Sequence, residues 1–99
     1  MADRILMTPQ ELNDGSQFLL QKLSTLQNEV QSLNQRVRDI ESRWEGASKQ
    51  AFIQRYESEL FPVLDKVMPD VINALAQKLD AAANAIRDTD QQIASAFKG

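Results

Sequence analysis

With 99 residues, 11 Lys plus Arg and 14 Asp plus Glu, the chain is small and slightly acidic. That length supports one domain, and a net charge of −3 with scattered basic residues excludes a phosphate-backbone binder, which needs a basic face. The absence of Cys and His excludes thiol nucleophiles, disulfides and thiolate or imidazole metal sites, and removes the commonest general acid–base residue.

Residues Met1 to Met7 lack the apolar core of a signal peptide. No later run approaches the ~18 consecutive apolar residues of a membrane span. The chain therefore reads as soluble and cytoplasmic, or as exported by a route that uses no cleaved signal.

The first helix opens at Thr8, a good N-cap. Pro9 suits the first helical position, and Glu11 completes a capping box. Beyond it runs an apolar series: Leu12, Ser16, Leu19, Leu23, Leu26, Val30, Leu33, Val37, Ile40 and Trp44. Its steps alternate between three and four, and only Ser16 is polar, so this is a sustained heptad seam over a helix of about residues 9–43. Gly46 then breaks the pattern where a residue of positive φ is expected. Either Ser48 or Gly46 caps the next helix.

That second helix is expected over about residues 48–95, after a turn at 44–47. Its main stripe reads Leu60, Leu64, Val67, Val71, Leu75, Leu79, Ala82, Ile86, Ile93 and Phe97, a helical spacing. Phe61, Met68, Ile72, Ala76 and Ala83 form an adjacent stripe. Phe52, Ile53 and Tyr56 add apolar bulk near the turn. Pro62 and Pro69 fall inside this helix, and each removes a donor and clashes one turn back, at Ser58 and Asp65. Because the stripe keeps its phase across both, the expectation is a kinked or curved helix; a break near 62 or 69 is the alternative.

A short turn makes the helices antiparallel neighbours. The fold class is thus all-α, one helical-hairpin domain spanning 1–99. The hairpin can bury the single stripe of the first helix, but the second helix is wider and one partner covers only part of it. An exposed apolar strip of that length marks association, so we expect hairpins to dimerise into a four-helix bundle. The shared core of hairpin and dimer would comprise Leu12, Leu19, Leu23, Leu26, Val30, Leu33, Val37 and Ile40 with Leu64, Val67, Val71, Leu75 and Leu79. Gly15 either admits a close neighbouring helix or is simply exposed.

Catalysis is not expected. Glu57 and Glu59, like Asp88 and Asp90, sit two apart on a helix and point to different sides. No phosphate loop, metal-ligand set or nucleophile–base pair is present, and no cofactor is implied. Trp44 can be a packing plug beside the turn, a recognition surface, or both.

Trp44-Glu45-Gly46, placed mid-chain between two long helices in a chain of about this length, resembles the WXG family of early-secreted-antigen-like (Esx-type) proteins, the small substrates of type VII secretion. A second family pattern, hydrophobic–x3–Asp–x2–hydrophobic–x3–hydrophobic, is matched by Ile86, Asp90, Ile93 and Phe97. The actinobacterial Tyr-x3-Asp/Glu export motif is absent: Tyr56 is the only Tyr, and Leu60 stands four residues on. The chain is thus more similar to the homodimeric Firmicutes branch.

The resemblance implies a protein exported as a folded dimer, with itself or a related paralogue, by the type VII membrane ATPase. It would be cytoplasmic before export and secreted without a cleaved signal, in a virulence, effector or export-partner role. Trp44 and Gly46 of one chain, beside the C-terminal pattern of the other, would form the secretion signal. A larger Trp-x-Gly toxin is a further partner, which would make the chain a co-secretion chaperone; an intracellular helical adaptor is the remaining alternative. Neither nucleic acid nor membrane is an expected partner, since the polar faces are not rich in Lys or Arg.

Overall fold

A computed structural model describes residues 7–98, with side chains through Ala96. Helix α1 spans Pro9–Arg43. The backbone then turns through Trp44, Glu45 and Gly46 and is helical again from Ala47 to Lys98. This second rod is α2 (Ala47–Arg55), two π-helical turns (Tyr56–Leu60 and Val63–Val67) and α3 (Met68–Lys98). The two rods lie antiparallel in a molecule measuring 78 × 26 × 18 Å.

Local chemistry sets the ends. Thr8 Oγ1 accepts from the Glu11 amide at 3.1 Å, and the Glu11 carboxylate accepts from the Thr8 amide at 3.3 Å. Two of the orphan donors at the helix start are thereby satisfied. At the other end Trp44 is extended (φ −100°, ψ 122°), and Gly46 has φ 129° and ψ 164°. Only glycine adopts that region readily. A Cβ at Gly46 would meet nothing within 4 Å, so the demand there is conformational rather than steric.

The second rod runs on through both prolines, but not in constant phase. Each π-turn ends just before a proline: the Phe61 amide donates to Tyr56 O, and the Met68 amide to Val63 O. Widening the turn moves the carbonyl that the pyrrolidine ring would strike, at the expense of one extra residue. The residues facing α1 therefore step by five, from Tyr56 to Phe61 and from Leu64 to Pro69, where sequence periodicity expects an unbroken stripe.

This slip decides which stripe of the second rod lies inward. Ile53, Tyr56, Ala76 and Ala83 are buried against α1, with Phe61 packed against the Val37–Ile53–Tyr56 cluster, whereas Leu60, Val67, Val71 and Leu75 of the main stripe are about half exposed. The inner contact is the stripe that sequence alone places second.

Candidate functional site

The heptad seam of α1 divides between two faces. Ser16, Leu23, Val30, Val37 and Trp44 recur every seven residues and turn toward the second rod; Ser16, Leu23 and Val37 are almost fully enclosed. The other half-seam is Leu12, Leu19, Leu26, Leu33 and Ile40. Leu12 is buried and Leu19 half-buried, but Leu26, Leu33 and Ile40 are 37–40% exposed. The hairpin thus fails to bury the stripe of α1, contrary to the sequence expectation. The second rod sits over the Ser16–Leu23–Val37 row rather than straddling both rows as a coiled-coil partner does.

Across from this open half-seam stand Phe52, Leu60, Val67, Val71 and Leu75, each 40–51% exposed. Together the two rows form one apolar face. Toward the turn it deepens into a groove of 470 Å³ lined by Leu33, Val37, Phe52, Arg55, Tyr56, Glu59 and Leu60. The Arg55–Glu59 ion pair at 2.9 Å borders it. The opposite face is different in kind: its groove of 350 Å³ is lined by Ser24, Gln27, Asn28, Gln31, Asn34 and Asp65, with Val30, Phe61 and Leu64 at its floor. One side of the hairpin is built to lose water and the other to keep it.

Polar cross-links hold the rods in place. Tyr56 donates its hydroxyl to Asn34 Oδ1 at 3.0 Å, and burial pushes the phenol pKa upward. Arg38 bridges Glu57 at 2.7 Å and Glu41 at 3.1 Å, and these hydrogen bonds, Glu57 first, raise its pKa further. At the far end Asn13 and Ser16 both donate to Asp80, at 2.8 and 3.0 Å. Sequence reading singles out Ser16 as the polar gap in the seam but does not find its partner. The available signal is an Asp at 80 beside an alanine-rich stripe.

Trp44 is half-buried, its ring tilted 46° to Phe52 with centroids 5.4 Å apart. It is part of the turn's packing and keeps one edge in solvent, beside Arg36, Asp39, Ile40 and Arg43. Of the C-terminal pattern, Ile86 is half-buried, Asp90 exposed and Ile93 51% exposed; the Phe97 side chain lies outside those described. The Asn13–Asp80 contact lies near the start of α1 but well short of the end of α3, so α3 continues roughly 20 Å beyond α1. Asp90 and Ile93 stand on this overhang. Within one chain the overhang and the Trp44 turn are at opposite ends.

Among the described residues no cluster of three acidic side chains is spaced to hold a metal ion, and no helix is long and apolar enough to cross a membrane.

A helical hairpin with a central Trp-x-Gly turn defines a class of small paired-helix proteins, and residues 4–91 match the family model WXG100, proteins of 100 residues with WXG. The chain belongs to that family. It is 40% identical to protein YukE of Bacillus subtilis (strain 168) over the full length of both chains. The type VII secretion system extracellular protein A of Staphylococcus aureus (strain USA300) is 26% identical over 93 residues, 94% of each chain. The crystal structure of Geobacillus thermodenitrificans EsxA superposes with a TM-score of 0.74 at 38% identity, covering 95% of this chain and 99% of that one. These relatives are of the Firmicutes type.

Proposed function

We propose that this protein is a secreted substrate of a type VII system, exported as a folded homodimer, and that it acts by binding rather than by catalysis. The observation that carries the reading is the open apolar face between the half-seam Leu26–Leu33–Ile40 and the row Leu60–Val67–Val71–Leu75. A second copy turned end for end supplies the same face, self-complementary as a two-fold interface requires, and the product is a four-helix bundle. The similarity to the staphylococcal extracellular protein supports the secretory role.

The end-for-end arrangement gives the overhang its purpose. The C-terminal helix of one copy then extends alongside or past the Trp44 turn of the other. A signal read at each end of the dimer would combine Trp44 and Gly46 from one chain with Ile86, Asp90, Ile93 and Phe97 from its partner. The membrane ATPase of the secretion system is the reader, and a monomer would present only half a signal at each end.

The test is export from the native host with and without that ATPase, paired with the mass of the purified protein by light scattering. The expected result is secretion that depends on the ATPase and a mass twice the 11.2 kDa of one chain. Retention in the cytoplasm of both strains overturns the secretory reading in favour of an intracellular adaptor. An 11.2 kDa mass at micromolar concentration overturns the dimer. Secretion only together with a larger Trp-x-Gly protein assigns the chain a chaperone role.

A further inference from the structure

Apolar contacts alone do not explain how α3 is oriented after the two π-turns. Each inserts one residue, and one residue turns a helix by roughly 100°. The azimuth of α3 on α1 therefore depends on both π-turns being kept where they are: losing or gaining one would turn α3 by about that angle. The stripe of α3 that meets α1 contains Ala76 and Ala83, at 2% and 0% exposure. Small side chains of this kind pack acceptably over a range of azimuths. One residue away lies a second apolar stripe, Leu75, Leu79, Ala82 and Ile86, which could occupy the same contact after a rotation by one residue. Hydrophobic burial alone leaves two phases open.

One contact distinguishes them. Both carboxylate oxygens of Asp80 are engaged by α1: Asn13 Nδ2 donates to Oδ1 at 2.8 Å and Ser16 Oγ donates to Oδ2 at 3.0 Å. Ser16 is 1% exposed. In the alternative phase Asp80 leaves the interface, an aliphatic group faces Ser16, and a buried hydroxyl loses its partner. An orphaned group of that kind is penalised by its full desolvation. Gly15 lies beside this contact, and a Cβ on it would stand 3.4 Å from Leu79 Cδ1, an ordinary van der Waals distance.

We infer that the Asn13–Ser16–Asp80 clasp fixes the rotational phase of α3 after the two π-turns, and so decides which side of α3 joins the open apolar face and which way Asp90 and Ile93 project. Asp80 is a positioning residue in this sense. A buried polar contact that selects one packing among several of similar apolar area is a known use of polar groups in paired helices. The clasp acts within a single hairpin, whether or not the chain is exported.

The chain has no Cys, so two engineered cysteines carry spin labels without interference. Labels at Gln17 and Gln77, both exposed, report the azimuth of α3 by electron–electron distance, with labelled protein diluted into unlabelled so that only distances within one chain are read. The native background should give one narrow distance. Ser16→Ala combined with Asp80→Ala, which extends the alanine stripe, should keep its helical circular dichroism and show a second distance. Ser16→Val with Asp80→Leu fills the same site with apolar groups and should behave alike. Asp80→Asn, which can still bond to both partners, should restore the single distance. A single native distance in either folded double variant overturns the inference, and so does a second distance already present in the native protein.

Discussion

Tyr56 and Asn34 are joined across the two rods by a 3.0 Å hydrogen bond, with the phenol ring buried and its hydroxyl reaching the polar face. Burial favours the neutral phenol, so its pKa in the folded chain lies above the ordinary value of 10.0. A raised acid pKa means that the unfolded chain loses the proton first, and stability falls with rising pH. The contribution is complete below pH 10.0 and is lost as pH climbs through the folded pKa. Unfolding titrations should show this alkaline loss in the native protein and not in Tyr56→Phe, whose neutral-pH cost is about 0.5–1.5 kcal/mol for one hydrogen bond.

Gly46→Ala places a Cβ in open space but at φ 129°. Backbone strain alone predicts a loss of about 1–3 kcal/mol, measurable as a lowered urea midpoint with unchanged slope. A loss no larger than a few tenths would show that the turn re-forms around a different residue.

The two halves of the heptad seam should respond differently. Leu23→Ala leaves a cavity inside the hairpin, and about 2–5 kcal/mol of unfolding free energy should go with it. Leu33→Asp introduces a charge on the open face, where one chain alone leaves the side chain 39% exposed. It should leave helix content intact and reduce the light-scattering mass to that of one chain. If Leu33→Asp unfolds the protein instead, the open face is needed for the hairpin itself.

Trp44→Ala and Asp90→Ala separate recognition from folding. Asp90 is exposed and forms no side-chain hydrogen bond or ion pair among the described residues, so its loss should change the melting temperature by no more than about 2–4 °C, as for a surface substitution within about 0.5 kcal/mol. Trp44 is half-buried against Phe52, and its loss should be felt as a moderate destabilisation. Both should sharply reduce secretion. Export of Asp90→Ala at the native level removes that residue from the signal.

The hairpin was legible in the sequence because a seven-residue repeat, a capping box and one mid-chain glycine are all local signals. Thr8, Glu11 and Gly46 each announce a backbone conformation within a few residues. The azimuth of the second rod was not legible. Pro62 and Pro69 signal a disturbance, but whether the helix bends, breaks or gains a residue depends on how Tyr56 and Phe61 stack across the insertion, at 5.8 Å between ring centroids. Two adjacent apolar stripes then make either phase compatible with the residue pattern. For the same reason the sequence could mark Leu26 and Leu33 as core without saying which neighbour covers them. Ser16 and Asp80 each stand out locally as a polar residue in or beside an apolar stripe, but their pairing, 64 residues apart, is a tertiary fact that no local signal states.

The overhang of α3 has a thermodynamic meaning of its own. Past Ile86 no part of α1 among the described residues lies opposite it, and a lone helix of about a dozen residues is marginal in water. Its amides should exchange with deuterium early, while those around Ala76 and Ala83 persist. A receptor that grips Asp90 and Ile93 would therefore meet a segment fluctuating between helix and coil, and its affinity would be reduced by the work of ordering it. Anything that holds the overhang helical beforehand, a second copy laid beside it included, would tighten that grip without adding a single contact to the receptor.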